Sequence, residues 1–171
     1  MVCIAVLMSS VGRRPVRNRR LASPEPAHAR NLALLGACVT IALIAWAWNF
    51  ELEVAVLGRS ALASFPVQLA LVGAALLVYA LVSASVGFLA GQLGVSENAA
   101  NALANILSMV MSFLGGAWTG LSLLPDALLA VAHFTPAYWV TLVVEGAAGL
   151  GEVTAEAVLP LVGDLGVCAL F

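Results

Sequence analysis

Asn98-Ala-Ala-Asn101-Ala-Leu-Ala-Asn105-Ile-Leu-Ser108-Met-Val-Met-Ser112-Phe-Leu-Gly115-Gly-Ala-Trp-Thr119-Gly120 is the stretch on which the fold of this chain turns. Asn98, Asn101, Asn105, Ser108, Ser112, Gly115 and Thr119 fall at alternating steps of three and four. On an α-helix those steps put every one of them on one face. The other faces carry Leu103, Ile106, Met109, Val110, Phe113 and further apolar residues, and no charge occurs from Asn98 to Pro125. Such a helix offers hydrocarbon to lipid and a polar, close-approach strip to protein or to a pathway. From Asn98 to Gly120 it would measure about 33 Å, enough to cross a hydrocarbon core of about 30 Å. A 3.5-residue repeat drifts about 20° per heptad on a straight helix, which favours a seam against a neighbouring helix over a straight pore wall.

Composition agrees with a membrane address. Of 171 residues, 63% are hydrophobic and 9% charged, against about 25% charged in ordinary soluble domains. Mean hydropathy is +1.06. A polytopic, all-α transmembrane bundle is the expected fold. The net charge of −2 says little, but its distribution is informative. There is no lysine, and Arg13, Arg14, Arg17, Arg19, Arg20 and Arg30 lie close together, with only Arg59 elsewhere. A basic cluster beside apolar spans marks the cytoplasmic side. Beside such spans it gives no reason to expect nucleic acid as a partner. The lysine-free, Ala-rich composition points to a GC-rich bacterial genome, and so to a multi-pass protein of a bacterial plasma membrane.

The organisation follows from that orientation. Residues 1–11 are apolar but too short to cross, and are read as the end of a span. Residues 12–30 form the basic cytoplasmic segment, with Pro15, Pro24 and Pro26. Spans are expected over 31–50, 66–91 and 98–120. Trp46 and Trp48 fit an aromatic belt at the far end of the first, and Glu51, Glu53 and Arg59 a short outer loop. Ser83, Gly87 and Gly91 give the second span a small-xxx-small face. Gly116 and Gly120 read as another close-approach pair. Pro125 and Pro136 interrupt 121–157, which allows either a kinked span or an outer re-entrant hairpin. A last span begins in 158–171. The short terminal stretches imply that the natural protein is longer at both ends.

Several chemistries are excluded. Without lysine there is no Walker A loop and no Schiff base. His28 and His133 are the only histidines, so no HExxH-type zinc site exists. Asp126 and His133 have no serine in a nucleophile-elbow context. Cys3, Cys38 and Cys168 have no metal-ligand spacing and sit in apolar stretches, which suits buried, inert thiols. Asp164 is the sole carboxylate inside an expected span; it either serves an ion or proton path or reaches water from the outer third.

Two stretches of the chain carry a family resemblance. Asn105 to Asp126, followed by His133-Phe-Thr-Pro-Ala-Tyr-Trp139, resembles the membrane subunit of type-2 ATP-binding-cassette exporters, of the drug and antibiotic efflux kind. There a striped helix ends in a Gly-rich turn, and an outer hairpin bounded by prolines precedes the last helix. Pro125 and Pro136 match those prolines, whereas Gly120 stands where many relatives carry another. Arg19-Arg20-Leu21-Ala22-Ser23-Pro24 is similar to the family's cytoplasmic coupling segment, which docks on an ATPase. The resemblance covers nearly the whole chain, lacking the first helix and parts of the second and sixth.

The resemblance implies a permease that is not itself an enzyme. ATP and Mg would be held by a separate cytoplasmic ATPase, and the path would form between two membrane subunits, identical or not. The six clustered arginines would be the docking surface. The polar stripe suits either helix packing or pathway lining, and its uncharged Asn and Ser suit amphipathic cargo better than inorganic ions. Two alternatives stay open: a gradient-driven carrier that uses Asp164, and a non-transporting scaffold or immunity subunit.

Overall fold

The computed structural model describes Ile4 and residues 26–58, 60–92, 96–151 and 153–171. Arg13, Arg14, Arg17, Arg19 and Arg20 lie outside the described residues, as do Cys3 and Arg59. Among those described, the chain is all-α, with no strand. Its helices are α1 (Ala27–Leu57), α2 (Ser60–Ser64), α3 (Pro66–Gln92), α4 (Glu97–Leu114), α5 (Asp126–Ala132), α6 (Pro136–Ala148) and α7 (Ala155–Ala169). A 3₁₀ turn, Leu121–Leu123, precedes α5.

Two helices are long and apolar enough to cross a membrane, His28–Leu57 and Pro66–Ala90; α5 with α6 makes a third only as a pair bent by 100°. Only 11% of the most apolar stretch of the first is buried by the rest of the chain. Exposed Ile44, Trp48, Leu89, Ile106 and Met109 continue that apolar surface on α1, α3 and α4. A surface of this extent needs lipid or another apolar cover, and it suits the chain to membrane insertion.

Local chemistry sets the helix ends. α1 has no breaker after Phe50 and runs to Leu57, where Gly58 takes φ +83° and stops it. Glu51 and Glu53 are therefore helical, which corrects the expected outer loop. Pro66 stands at the first position of α3, where its missing N–H costs nothing. Ser96 caps α4, its Oγ accepting from the Ala99 N–H at 3.3 Å.

The largest departure from expectation is the end of α4. It stops at Leu114, so Gly115 and Thr119 of the stripe lie beyond it. The reason is a Schellman close. The Ala117 N–H donates to the Ser112 carbonyl and the Gly116 N–H to that of Phe113, while Gly116 adopts φ +78°. A side chain there would be strained. Its eighteen residues give α4 about 27 Å rather than 33 Å. Gly116 is thus a cap that lies close against Leu121, and a Cβ on Gly120 would meet only Ser122 Oγ, at 3.9 Å. The last helix, expected from residue 158, begins at Ala155 with Glu156 in its first turn and carries Pro160 inside.

The chain divides into two compact units, Met1–Leu43 with Ser83–Met109, and Ile44–Val82 with Val110–Phe171. In the first, the buried residues include Cys38, Ala42, Ala84, Ala90, Ala100 and Ala104. Side chains this small allow close backbone approach, as membrane interfaces require. Gly87 of the small-xxx-small face is buried and Ser83 half-buried.

The second unit holds larger apolar clusters. One joins Leu71 and Ala75 of α3 to Val140 and Val143 of α6 and to Leu161 and Cys168 of α7. Another gathers Leu114, Leu121, Leu124, Ala132 and Tyr138 around the turn that follows α4. α6 and α7 run antiparallel: Gly146 meets Leu161, and the buried Cys168 thiol lies 3.6 Å from the Pro136 carbonyl. α1 meets α3 at Gly73, whose carbonyl accepts from Trp46 Nε1 at 2.8 Å. Phe50, stacked on Trp46, occupies the space a Cβ on Gly73 would need. Trp46 is thereby a packing residue, whereas Trp48 is 67% exposed.

Candidate functional site

Within the second unit, the last turns of α1, the first turns of α3 and the end of α6 enclose a cavity of about 450 Å³. Its walls include Leu57, Phe65, Leu69, Val72, Val144 and Leu150, with Ala147 and Ala148 on α6. Among the described residues, the polar side chains that line it are Glu53 and Gln68. A volume in the range of small-molecule sites, apolar walls and few polar groups are the ordinary make-up of a ligand pocket.

Helical spacing carries Glu53 there. Trp46, Phe50, Glu53 and Leu57 follow at steps of four, three and four, so the face that packs on Gly73 continues into the cavity. Glu51 falls off that face and is exposed. Gln68, Leu69 and Val72 of α3 line the cavity with Phe65, which stands just before that helix, at steps of three, one and three that keep them on one helical face. Leu57 and Phe65 are both more than half exposed.

The electrostatics are one-sided. Glu53 Oε2 and Gln68 Oε1 are buried and have no hydrogen-bond partner among the described residues. Gln68 Nε2 donates to the Leu150 carbonyl at 3.4 Å, which fixes the amide so that its oxygen is the free atom. Both free atoms therefore accept hydrogen bonds. An unpartnered buried acceptor costs about 1–3 kcal/mol, so the protein carries two such costs in one apolar pocket. Glu53 and Gln68 were not among the residues that the sequence suggested. The signal was present in the spacing after Trp46, but the helix was expected to end at Phe50.

The expected site residues are distributed otherwise. Asn98, Asn101 and Asn105 are exposed on α4, Ser108 and Ser112 half-buried, Gly115 buried and Thr119 exposed. The buried line of α4 runs instead through Ala100, Ala104 and Leu114, about a quarter turn from the middle of the stripe. Asn105 Nδ2 donates to the carbonyl and the Oδ1 of Asn101, both at 3.0 Å, so the stripe satisfies part of its own polarity. At Gly115, a Cβ would lie 2.8 Å from that of Ala137, and Thr141 Oγ1 donates to the Gly115 carbonyl. This glycine joins the end of α4 to α6.

Pro125 and Pro136 open α5 and α6, and the 100° bend lies between them. At the bend, the His133 Nδ1–H donates to the Leu129 carbonyl at 2.6 Å, and the ring packs on Tyr138. Trp139 Nε1 donates to the His133 carbonyl at 2.9 Å. His133 is therefore a hinge-fixing residue. Asp164 is half-buried on α7 and is not part of the cavity. Arg30 is half-buried near the start of α1. Among the described residues, no three His, Cys, Asp or Glu side chains come together as a metal site would require. No family model, curated protein or solved structure matches this chain.

Proposed function

We propose that this chain is a membrane-embedded permease subunit, of the type-2 ATP-binding-cassette exporter kind, and that a separate cytoplasmic ATPase drives it. The observation that carries the reading is the sequence of elements after α4. A polar-striped helix ends in a glycine turn, and a proline-bounded hairpin bent by 100° follows. That order is the one the resemblance implies. The cavity adds a place where an amphipathic cargo fits. The chain has no lysine and hence no Walker A loop, so in this reading energy enters through the basic segment. ATP binding in the partner would clamp that segment, and the helices would carry the movement to a path between two membrane subunits.

The test is reconstitution in vesicles with the product of a neighbouring gene that carries a Walker A loop. Amphiphile transport should require ATP and should cease when the Walker lysine of that ATPase is replaced. Deletion of residues 13–30 should abolish ATPase binding. Transport that persists without the ATPase and is lost in Asp164→Asn would overturn the reading in favour of a gradient-driven carrier. No transport under any condition would favour a scaffold.

A further inference from the structure

We infer that the cavity between α1, α3 and α6 binds an amine-headed amphiphile, its ammonium held between Glu53 and Gln68 and its chain along the apolar wall. Three features of the pocket set this chemistry. The two unpartnered buried atoms, Glu53 Oε2 and Gln68 Oε1, are both acceptors, so the missing group is a donor. One acceptor belongs to a carboxylate, and among the described lining residues none is cationic, so the complementary donor carries positive charge. The remaining walls are hydrocarbon, which calls for an apolar body behind the charged head. A primary ammonium supplies both the charge and several N–H donors. A quaternary ammonium supplies charge without a donor, an alcohol a donor without charge, and a carboxylate the wrong sign.

Of the lining, Leu57 and Phe65 are exposed, at the end of α1 and just before α3. A ligand can therefore enter along the lipid interface, with its chain in hydrocarbon and its head near water. The ammonium can come from a free alkylamine or from an aminophospholipid headgroup; the chemistry is the same.

The experiment measures saturation binding of radiolabelled decylamine to the full chain in phosphatidylcholine nanodiscs, with empty nanodiscs subtracted. Saturable binding is expected, with decylamine preferred over decyltrimethylammonium and decanol, and decanoate weakest. Glu53→Gln should weaken decylamine binding about tenfold or more, the usual effect of removing a charged hydrogen-bond partner. Gln68→Leu should weaken it less. Ala148→Trp, at an exposed lining position, should block it by filling the pocket. Each variant is first checked by circular dichroism, and Asn105→Ala serves as a folded control expected to bind as the native chain does.

Nanodiscs containing phosphatidylethanolamine separate the sources. Displacement of decylamine assigns the site to a headgroup, and undiminished binding assigns it to a free amphiphile. Decanol or decanoate binding as tightly as the amine, or folded Glu53→Gln binding it unchanged, overturns the proposal. The measurement uses the chain alone, so its outcome is separate from that of ATP-driven transport.

Discussion

Two polar features interrupt the apolar helices, and they differ in how their polarity is met. Asn98, Asn101 and Asn105 on α4 are exposed, and Asn105 bonds back to Asn101 within one turn. Glu53 and Gln68 come from helices α1 and α3, face one cavity, and each keeps a buried atom unpartnered. Both features rest on the same three-four spacing. The difference is that Asn105 finds its partner within its own helix, whereas none of the described residues provides a donor to the cavity pair. A polar group at the surface of a membrane helix is cheap when its neighbour satisfies it. A buried acceptor without a partner opposes folding and is tolerated where function requires it.

The largest expected effect probes that cost directly. Replacing Glu53 and Gln68 together by Leu removes both orphan acceptors. It should stabilise the ligand-free protein by about 1–3 kcal/mol for each, read from unfolding in mixed detergent micelles. A loss of stability would mean that these atoms are satisfied in the folded protein, and the contrast with α4 would fall. Next in size is Gly115→Val, whose side chain would enter the space of Ala137 and should cost about 1–3 kcal/mol by overpacking. Gly116→Ala should cost about 1 kcal/mol, since only glycine holds φ +78° without strain. Gly120→Ala, whose Cβ would make only an ordinary contact with Ser122 Oγ at 3.9 Å, should be neutral within about 0.5 kcal/mol. The smallest effect is expected for Asn101→Ala with Asn105→Ala, exposed helical positions where Ala is the better helix former; stability should stay within about 0.5 kcal/mol. A larger loss would show that the stripe is covered in the assembled protein.

The helical class and the apolar spans were legible because composition and periodicity depend only on local sequence. Pro66 likewise marked a helix start, since a missing N–H has one favourable place; Pro125 and Pro136 read only as interruptions, and the structure puts one at the N-cap of α5 and the other in the first turn of α6. The end of α4 was not legible, because the stripe continues in register through Gly115 and Thr119. The Gly115–Gly116 pair ends the helix by conformation, not by polarity. The cavity was hidden for a similar reason. Two glutamates after an apolar run read as a loop, yet α1 continues to Gly58 and the Trp46–Phe50 face carries Glu53 inward. Which of two alternating glutamates is buried depends on a partner helix packing at Gly73, a tertiary fact that no window of sequence contains.

The central claim is that the polar site of this protein is the Glu53–Gln68 cavity and not the asparagine stripe. Photo-cross-linking tests it most directly, with a diazirine-bearing decylamine added to the full chain in nanodiscs and the adducts mapped by mass spectrometry. The account predicts adducts on the cavity wall, at Val72, Val144 and Ala148, which decline in Glu53→Gln and are unchanged in Asn105→Ala. Adducts concentrated on α4 between Asn98 and Ser112, and insensitive to Glu53→Gln, would contradict it.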